Sequence, residues 1–236
     1  MTDDGTNSGE LLWDLDEGPA RKARPTLTVD RIAKAATTIA DADGLTAVSM
    51  QNVATKLDVT KMALYRHVAS KAELVAVMTE TAVGTPPNLK EIRGGWRPKL
   101  ELWAQEMRRT WQRHPWIPAA TAGSRVTGPR EIGWTEVAVG ALEGTGLDGA
   151  ERMDAVFLLS GHIRNTQSPT TAGTQPWSLD RTLNPMISAR PERFPSLVAA
   201  AASVGNAPKD NGWEFGLIRI LDGIAKLIAT RRRTKA

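Results

Sequence analysis

The chain has 236 residues, of which 41% are hydrophobic and 24% charged, proportions ordinary for a soluble globular protein. This length predicts a small domain followed by a larger one. The absence of cysteine excludes disulfides and thiolate chemistry, and three widely spaced histidines argue against a dedicated zinc site. No apolar run reaches the length of a membrane span, and the acidic amino terminus does not resemble a secretory signal. We therefore expect a cytoplasmic protein with no membrane partner and no cofactor.

Charge changes sign within the first 26 residues. Residues 1–20 contain six acidic residues and no Lys or Arg, which leaves 30 basic against 20 acidic residues in the rest of the chain. Arg21, Lys22 and Arg24 follow the acidic stretch. Residues 1–26 are therefore predicted to form a disordered arm, acidic and then basic. Its basic part is either a solvated tail or an arm that contacts nucleic-acid phosphates or a minor groove.

Two helices are predicted after this arm. Apolar residues recur at helical spacing from Ile32 to Ala40, and Gly44 is placed to end that helix in the left-handed conformation. Ser49 is a favourable N-cap for the second helix. The inward-facing residues of the second helix would be Val53, Ala54 and Leu57.

A sharp turn and two further helices follow. Asp58 lies where the chain must reverse, and Asp tolerates the left-handed region better than most residues. Val59 would then enter the core, and Thr60 would cap the third helix. Ser70 and Glu73 have the spacing of a capping box, which predicts the start of a fourth helix. Two short helices joined by a tight turn indicate a DNA-reading helix-turn-helix over residues 27–83.

The segment from about Thr28 to Glu80 resembles the DNA-binding domain of TetR-type repressors. The resemblance depends on three features: the Leu-Tyr-Arg-His-Val run from Leu64 to Val68, Lys71 with Leu74, and the stretch from Ser49 to Val59. The Leu-Tyr-x-His-Val pattern is closer to the tetracycline-repressor branch than to the commoner Tyr-x-x-Phe pattern. Asp58 departs from the family, which usually has Gly at this position.

This resemblance implies a set of DNA contacts. Lys61 would donate to guanine O6 and N7, Met62 would pack on a thymine methyl, and Gln51 would pair with adenine. Tyr65 and His67 would bind phosphates, and the helix N-termini would also anchor phosphates. The predicted DNA-binding residues are Ser49, Gln51, Thr60, Lys61, Met62, Tyr65, His67 and Lys71. Leu64 and Val68 are assigned to the core.

Residues 90–236 are predicted to form an all-helical second domain. A helix bearing Leu100, Trp103, Met107 and Trp111 should end at His114-Pro115. Later helices are predicted over residues 128–142, 151–164, 178–188, 191–203 and 212–232, with loops at 165–178 and 204–211. The Trp96-Arg97 start, the His114-Pro115-Trp116 stop and residues 128–147 and 151–164 resemble the regulatory domain of the tetracycline-repressor branch.

Two of these helices are too apolar to have only one buried face. One runs from Met153 to Ile163 and the other from Leu217 to Ile228. In the family these positions form the bundle of a homodimer, and a two-fold dimer would supply the two readers that a palindromic operator needs. The alternative is a pair of central helices in a monomeric core.

The second domain is also rich in tryptophan, and large flat side chains suit a planar, mostly apolar ligand. The resemblance implies that these segments form the wall of an effector cavity. The predicted effector-binding residues are Trp103, Met107, Trp111, His114, Trp116, Trp134, Phe157 and His162. Each Trp has an alternative role as a core residue. His114 has an alternative role in capping a helix end, and His162 as a core histidine.

The sequence thus predicts an all-α protein, with a three-helix DNA-binding domain followed by a ligand-binding and dimerisation domain. We expect a repressor that a small-molecule effector releases from a palindromic operator. A regulator of the same fold without an effector, whether constitutive, activating or partner-controlled, is the alternative. An enzyme is disfavoured because the chain lacks Cys, a Gly-x-Ser-x-Gly elbow, a phosphate loop and histidines at metal-binding spacing.

Overall fold

The computed structural model describes residues 27–123, 125–167, 183–204 and 211–235, and the regular secondary structure of these ranges is helical. The α-helices are α1 Val29–Asp43, α2 Met50–Leu57, α3 Lys61–Tyr65, α4 Lys71–Val83, α5 Trp96–Arg113, α6 Ile117–Ala120, α7 Pro129–Ala141, α8 Gly149–Gln167, α9 Pro185–Ser188, α10 Pro195–Ala202 and α11 Asn211–Lys235. Two 3-10 turns, Leu45–Ala47 and Leu89–Glu91, lie between helices. The predicted arm at residues 1–26 lies outside the described residues. Within them, no helix is long and apolar enough to cross a membrane.

The chain divides into two compact units at the Gly144–Thr145 bond. The first unit contains α1 to α7, so it joins α5, α6 and α7 to the predicted DNA-binding helices. The second unit contains α8 to α11. Within the second unit, the long helices α8 and α11 pack against each other.

The centre of the first unit is the packing of α1 against α4. Ala33, Ala76 and Val77 form a buried cluster in which two of the three side chains are fully hidden from solvent. Val29 and Val126 pack against its edge, so the segment before α7 also contacts this core. Burial of apolar surface is the main stabilising term in such packing.

The predicted starts of α2, α3 and α4 are confirmed. Ser49 Oγ accepts a hydrogen bond from the Asn52 N–H (3.1 Å), and Thr60 Oγ1 accepts one from the Ala63 N–H (3.2 Å). Ser70 Oγ accepts from the Glu73 N–H (3.1 Å). The Glu73 carboxylate accepts the backbone N–H of Ala69, one residue before the cap residue, where a standard capping box uses the N–H of the cap residue itself.

Two differences from the predicted elements have local causes. Helix α8 continues to Gln167, so the prediction of a loop was wrong for residues 165–167. Thr166 Oγ1 there donates back to the His162 carbonyl at 2.9 Å, a bond that a helical turn provides. Residues 168–178 lie outside the described ranges. The short helix α6, with a proline in its first turn, was not predicted.

Candidate nucleic-acid interface and ligand-binding region

The turn between α2 and α3 has the predicted left-handed residue. Asp58 has φ 55° and ψ 49°, and it is the only described residue other than glycine with a positive φ. The N–H of Val59 bonds the Ala54 carbonyl at 3.0 Å, which closes the end of α2. The aspartate therefore makes the turn at a position where the resembling family usually has glycine.

Helix α3 has one face buried in the core and one face exposed to solvent. Leu64 is fully buried and Val68, just after the helix, is 1% exposed, as predicted for core residues. Met62 is 68% and Tyr65 45% exposed, and Lys61 also faces solvent. An exposed methionine and tyrosine beside a lysine give a surface with both cationic and apolar groups.

The other predicted DNA-binding residues lie at or next to helix ends. Gln51 and Thr60 are exposed, and Lys71 is exposed in the first turn of α4. Ser49 and His67 are half-buried. The Gln51 side-chain amide donates to Thr55 Oγ1 at 3.3 Å, which is long for a hydrogen bond.

Trp103 and Trp134, both predicted effector contacts, pack together in the first unit. Their ring centroids are 6.4 Å apart, and both side chains are buried. The Trp103 indole N–H donates to the Trp134 carbonyl (2.8 Å), and the Trp134 indole N–H donates to the Gly84 carbonyl (3.1 Å). Both indole donors are thus bonded to the protein backbone, and both rings are packed away from solvent, which is the core role that the sequence left open for each Trp.

Near the end of α5, His114 and Trp116 share one acceptor on α1. The Trp116 indole N–H donates to Asp41 Oδ1 at 2.7 Å, and His114 Nδ1 lies 2.8 Å from the same oxygen. The rings of His114 and Trp116 lie 5.9 Å apart. Of the remaining residues predicted from α5, Trp111 is buried and Met107 half-buried.

Phe157 and His162 lie in the second unit. Phe157 is 79% exposed on α8. His162 stacks on Trp213 of α11, with ring centroids 5.4 Å apart, and its Nε2 lies 2.9 Å from the Trp213 carbonyl oxygen. His162 therefore contributes to the packing of α8 on α11, the core role that the sequence left open for it.

An open cleft of about 470 Å³ lies elsewhere in the second unit and contains none of the predicted effector residues. Its lining residues are Asn184, Met186, Ile187, Arg190, Arg193 and Phe194. Arg193 lies over the Phe194 ring, 5.7 Å from its centroid. The effector contacts proposed from sequence therefore do not coincide with this cleft.

Sequence reasoning missed two carboxylates in the first unit, Asp41 and Glu80. Glu80 is fully buried on α4, and its carboxylate oxygens accept the backbone N–H groups of Arg130 and Glu131, both at 3.0 Å. Burial raises the pKa of Glu80, and the two backbone bonds oppose that rise only in part. The feature of the sequence that could have pointed to Glu80 is an acidic residue just after the apolar run from Leu74 to Met78.

Two family profiles match the chain. Residues 32–78 match the profile of bacterial regulatory proteins of the tetR family. Residues 87–228 match the tetracyclin repressor-like C-terminal domain. These matches cover both predicted domains.

Individual proteins show the same similarity. The HTH-type transcriptional repressor DrrR1 of Streptomyces coeruleorubidus is 32% identical over 96% of this chain and 88% of its own length. The crystal structure of apo ActR from Streptomyces coelicolor is 25% identical, with a TM-score of 0.71 over 90% of this chain and 100% of its own. ActR in complex with actinorhodin has a TM-score of 0.67 at 25% identity, over 86% of this chain and 97% of its own.

Proposed function

The chain belongs to the TetR family of bacterial transcriptional regulators, and we propose that it is a repressor released from a palindromic operator by a small, largely apolar or aromatic effector. Membership makes it a DNA-binding regulator and not an enzyme. Because the proposed target is chromosomal DNA, the proposed place of action is the bacterial cytoplasm.

The observation that carries this proposal is the division of α3 between a buried Leu64 and an exposed outer face. On that face Lys61 would contact guanine and Met62 a thymine methyl, while Gln51 at the start of α2 would contact adenine. The remaining predicted residues would hold the phosphates on either side, and those residues are Ser49, Thr60, Tyr65, His67 and Lys71.

A homodimer is proposed through α8 and α11. Each helix buries one row of apolar residues, for example Leu159 on α8 and Leu221 on α11. A second row is exposed in the single chain, with Phe157 79%, Phe215 63% and Met153 58% accessible. A second copy would cover this apolar row and supply the second DNA reader. We therefore assign Phe157 to the proposed dimer face, where its exposure fits better than in an effector cavity.

The proposed effector site remains the Trp-rich region of α5 to α7. Trp103 and Trp134 are buried there, and their indole N–H groups are already bonded to the backbone. This arrangement favours a ligand that contacts ring faces over one that needs indole donors. ActR has been solved with actinorhodin, which makes actinorhodin a reasonable first probe for this chain.

Operator binding is tested by selecting duplexes from a random pool and measuring their affinity for the full chain by fluorescence anisotropy. Lys61→Ala should weaken binding to the selected duplex about tenfold and relax the preference for guanine at one position. Lys56→Ala, which removes an exposed lysine on α2, is the matched control and should have a smaller effect. Equal losses in the two variants would contradict base reading by Lys61.

Effector control is tested by adding actinorhodin to the protein–operator complex while tryptophan fluorescence is followed. Saturable quenching together with release of DNA supports the proposed repressor. Operator binding that no aromatic compound in a wider panel reverses would favour the alternative, a regulator without a small-molecule effector.

Dimerisation is tested separately by sedimentation of Phe157→Glu, with Asp154→Asn as the control on the same helix.

A further inference from the structure

Helix α7 begins without a cap of its own. Its N-cap residue is Gly128, which has no side chain to accept the unpaired N–H groups of the first turn. Those groups on Arg130 and Glu131 donate instead to the two carboxylate oxygens of Glu80, fifty residues earlier on α4. A carboxylate at a helix amino terminus also interacts favourably with the helix dipole.

Gly128 is needed because of Glu80 and not because of its own backbone. Its φ of −89° and ψ of 174° are accessible to any residue. A Cβ built at this position would lie 2.3 Å from the Glu80 carboxyl carbon and 2.6 Å from Oε1. An alanine here would therefore push the carboxylate away from the N–H groups that it accepts.

A third bond joins the same two helices one turn further along each. Gly84, which ends α4, accepts the Trp134 indole N–H at 3.1 Å. Trp134 in turn accepts the Trp103 indole N–H of α5 through its carbonyl at 2.8 Å. Bonds at two successive turns restrict both the sliding and the rotation of α4 against α7.

We propose that Glu80 is a positioning residue that makes α4 and the amino-terminal half of α7 move as one body. Helix α4 packs on α1 and directly follows α3, which carries the proposed DNA-reading residues. A shift of α7 would therefore reach the DNA-reading surface through the contact of Glu80 with Arg130 and Glu131, which we call the joint. The inference rests on the proposed function, because it assigns the transmission step of an effector-controlled repressor.

The joint itself is tested without DNA or effector. Glu80→Ala and Gly128→Ala should each lower the urea midpoint of unfolding of the full chain. The double variant should unfold no earlier than Glu80→Ala alone, because the added methyl group then occupies the space of the lost carboxylate. If the decreases in urea midpoint of the two single variants add up in the double variant, the close approach of Glu80 is not the reason why position 128 is glycine.

Hydrogen exchange tests the capping bonds directly. Glu80→Gln keeps the shape of the side chain, but its amide nitrogen faces one of the two N–H donors and cannot accept. The amide that loses its acceptor, that of Arg130 or Glu131, should then exchange about tenfold faster than in the wild type. Glu136→Gln, an exposed substitution on the same helix, should leave them unchanged. Unchanged exchange in Glu80→Gln would overturn the proposal.

The coupling is tested by repeating the exchange measurement with the selected operator duplex bound. In the wild type and Glu136→Gln, DNA should slow exchange in the first turn of α7 about fivefold or more, the lower end of typical couplings. In Glu80→Gln that slowing should be lost even at saturating DNA. Equal slowing in both variants, or none in the wild type, would show that α7 does not move with α4.

These outcomes separate the two proposals. If no duplex is selected with sequence preference, the proposed repressor function fails, while the unfolding midpoints and the exchange of the free protein still decide the joint. If a specific duplex binds but α7 is not protected, the repressor function stands and the transmission role of Glu80 fails.

Discussion

Two kinds of side-chain cap occur at helix starts in the first unit. The four helices of the DNA-reading part are each capped by a hydroxyl side chain that accepts an N–H group three residues later. The four cap residues are Thr28, Ser49, Thr60 and Ser70. Helix α7, by contrast, is capped by Glu80 from another helix. The first kind of cap forms with its own turn, whereas the second exists only while α4 and α7 are packed together.

The DNA-reading helices are thus capped by residues close to them along the chain, whereas the joint between α4 and α7 depends on residues that are far apart along the chain. A local cap near the surface keeps its bond when neighbouring helices shift. The Glu80 cap is buried, and the raised pKa of Glu80 shows that burial disfavours its charge more than the backbone bonds favour it. The joint therefore depends on a charge held in an unfavourable environment.

The largest expected effect is in the core of the reading part. Leu64→Ala removes a fully buried side chain and should lower the free energy of unfolding by about 2–5 kcal/mol. Met62→Ala, two residues away and 68% exposed, should change it by no more than about 0.5 kcal/mol. Chemical denaturation of both variants measures this. Similar losses would mean that α3 is not divided between core and surface.

Removing a local cap should lower the free energy of unfolding less than Leu64→Ala does, and another capping residue should restore it. Ser70→Ala should lower the free energy of unfolding by about 1 kcal/mol, because the Glu73 N–H loses its acceptor. Ser70→Asn should restore most of this loss, since Asn caps helices as well as Ser does. If Asn fails to rescue, the serine has a role other than capping.

The distant cap should show a characteristic pH dependence. Because burial raises the pKa of Glu80 above its ordinary value of 4.5, the folded protein binds this proton more tightly than the unfolded chain does. The free energy of unfolding of the wild type minus that of Glu80→Gln should therefore fall as pH rises from about 4.5, and level off above the raised pKa. Denaturation at a series of pH values checks this, and a difference that rises over the same range would contradict it.

The smallest effect is expected at the turn. Asp58→Gly relieves the left-handed conformation but increases the freedom of the unfolded chain, so the two contributions should cancel to within about 0.5 kcal/mol. Asp58→Ala keeps a side chain without the local hydrogen bonding of Asp and should be destabilising by about 1 kcal/mol. Thermal unfolding of the two variants distinguishes them, and a large gain from glycine would show that Asp58 is strained.

Sequence reasoning succeeded where the relevant partners are close along the chain. The caps at Ser49, Thr60 and Ser70 and the left-handed Asp58 were all predicted and are all present. Each depends on residue types that favour one local geometry at a spacing of three or four residues. The end of α5 at His114 was predicted for the same reason.

The partners of the effector-region residues could not be predicted in this way. His114 was weighed as a ligand contact or a helix cap; it is the C-cap residue of α5, but the contact of its side chain with Asp41 of α1 was not predicted. Phe157 was placed in a cavity, but it is exposed on α8 in the single chain. Helical periodicity shows that a side chain lies on a certain face, but it does not show which helix, ligand or second copy covers that face.

By itself, the sequence determined the starts of α2, α3 and α4, the end of α5 and the DNA-reading turn, because capping and turn preferences act over three or four residues. Only the tertiary structure decided that Glu80 caps α7, that Asp41 holds Trp116, and that Trp134 bonds the end of α4. These contacts join residues at least fifty positions apart. Their geometry is set by how whole helices pack, which no local preference encodes.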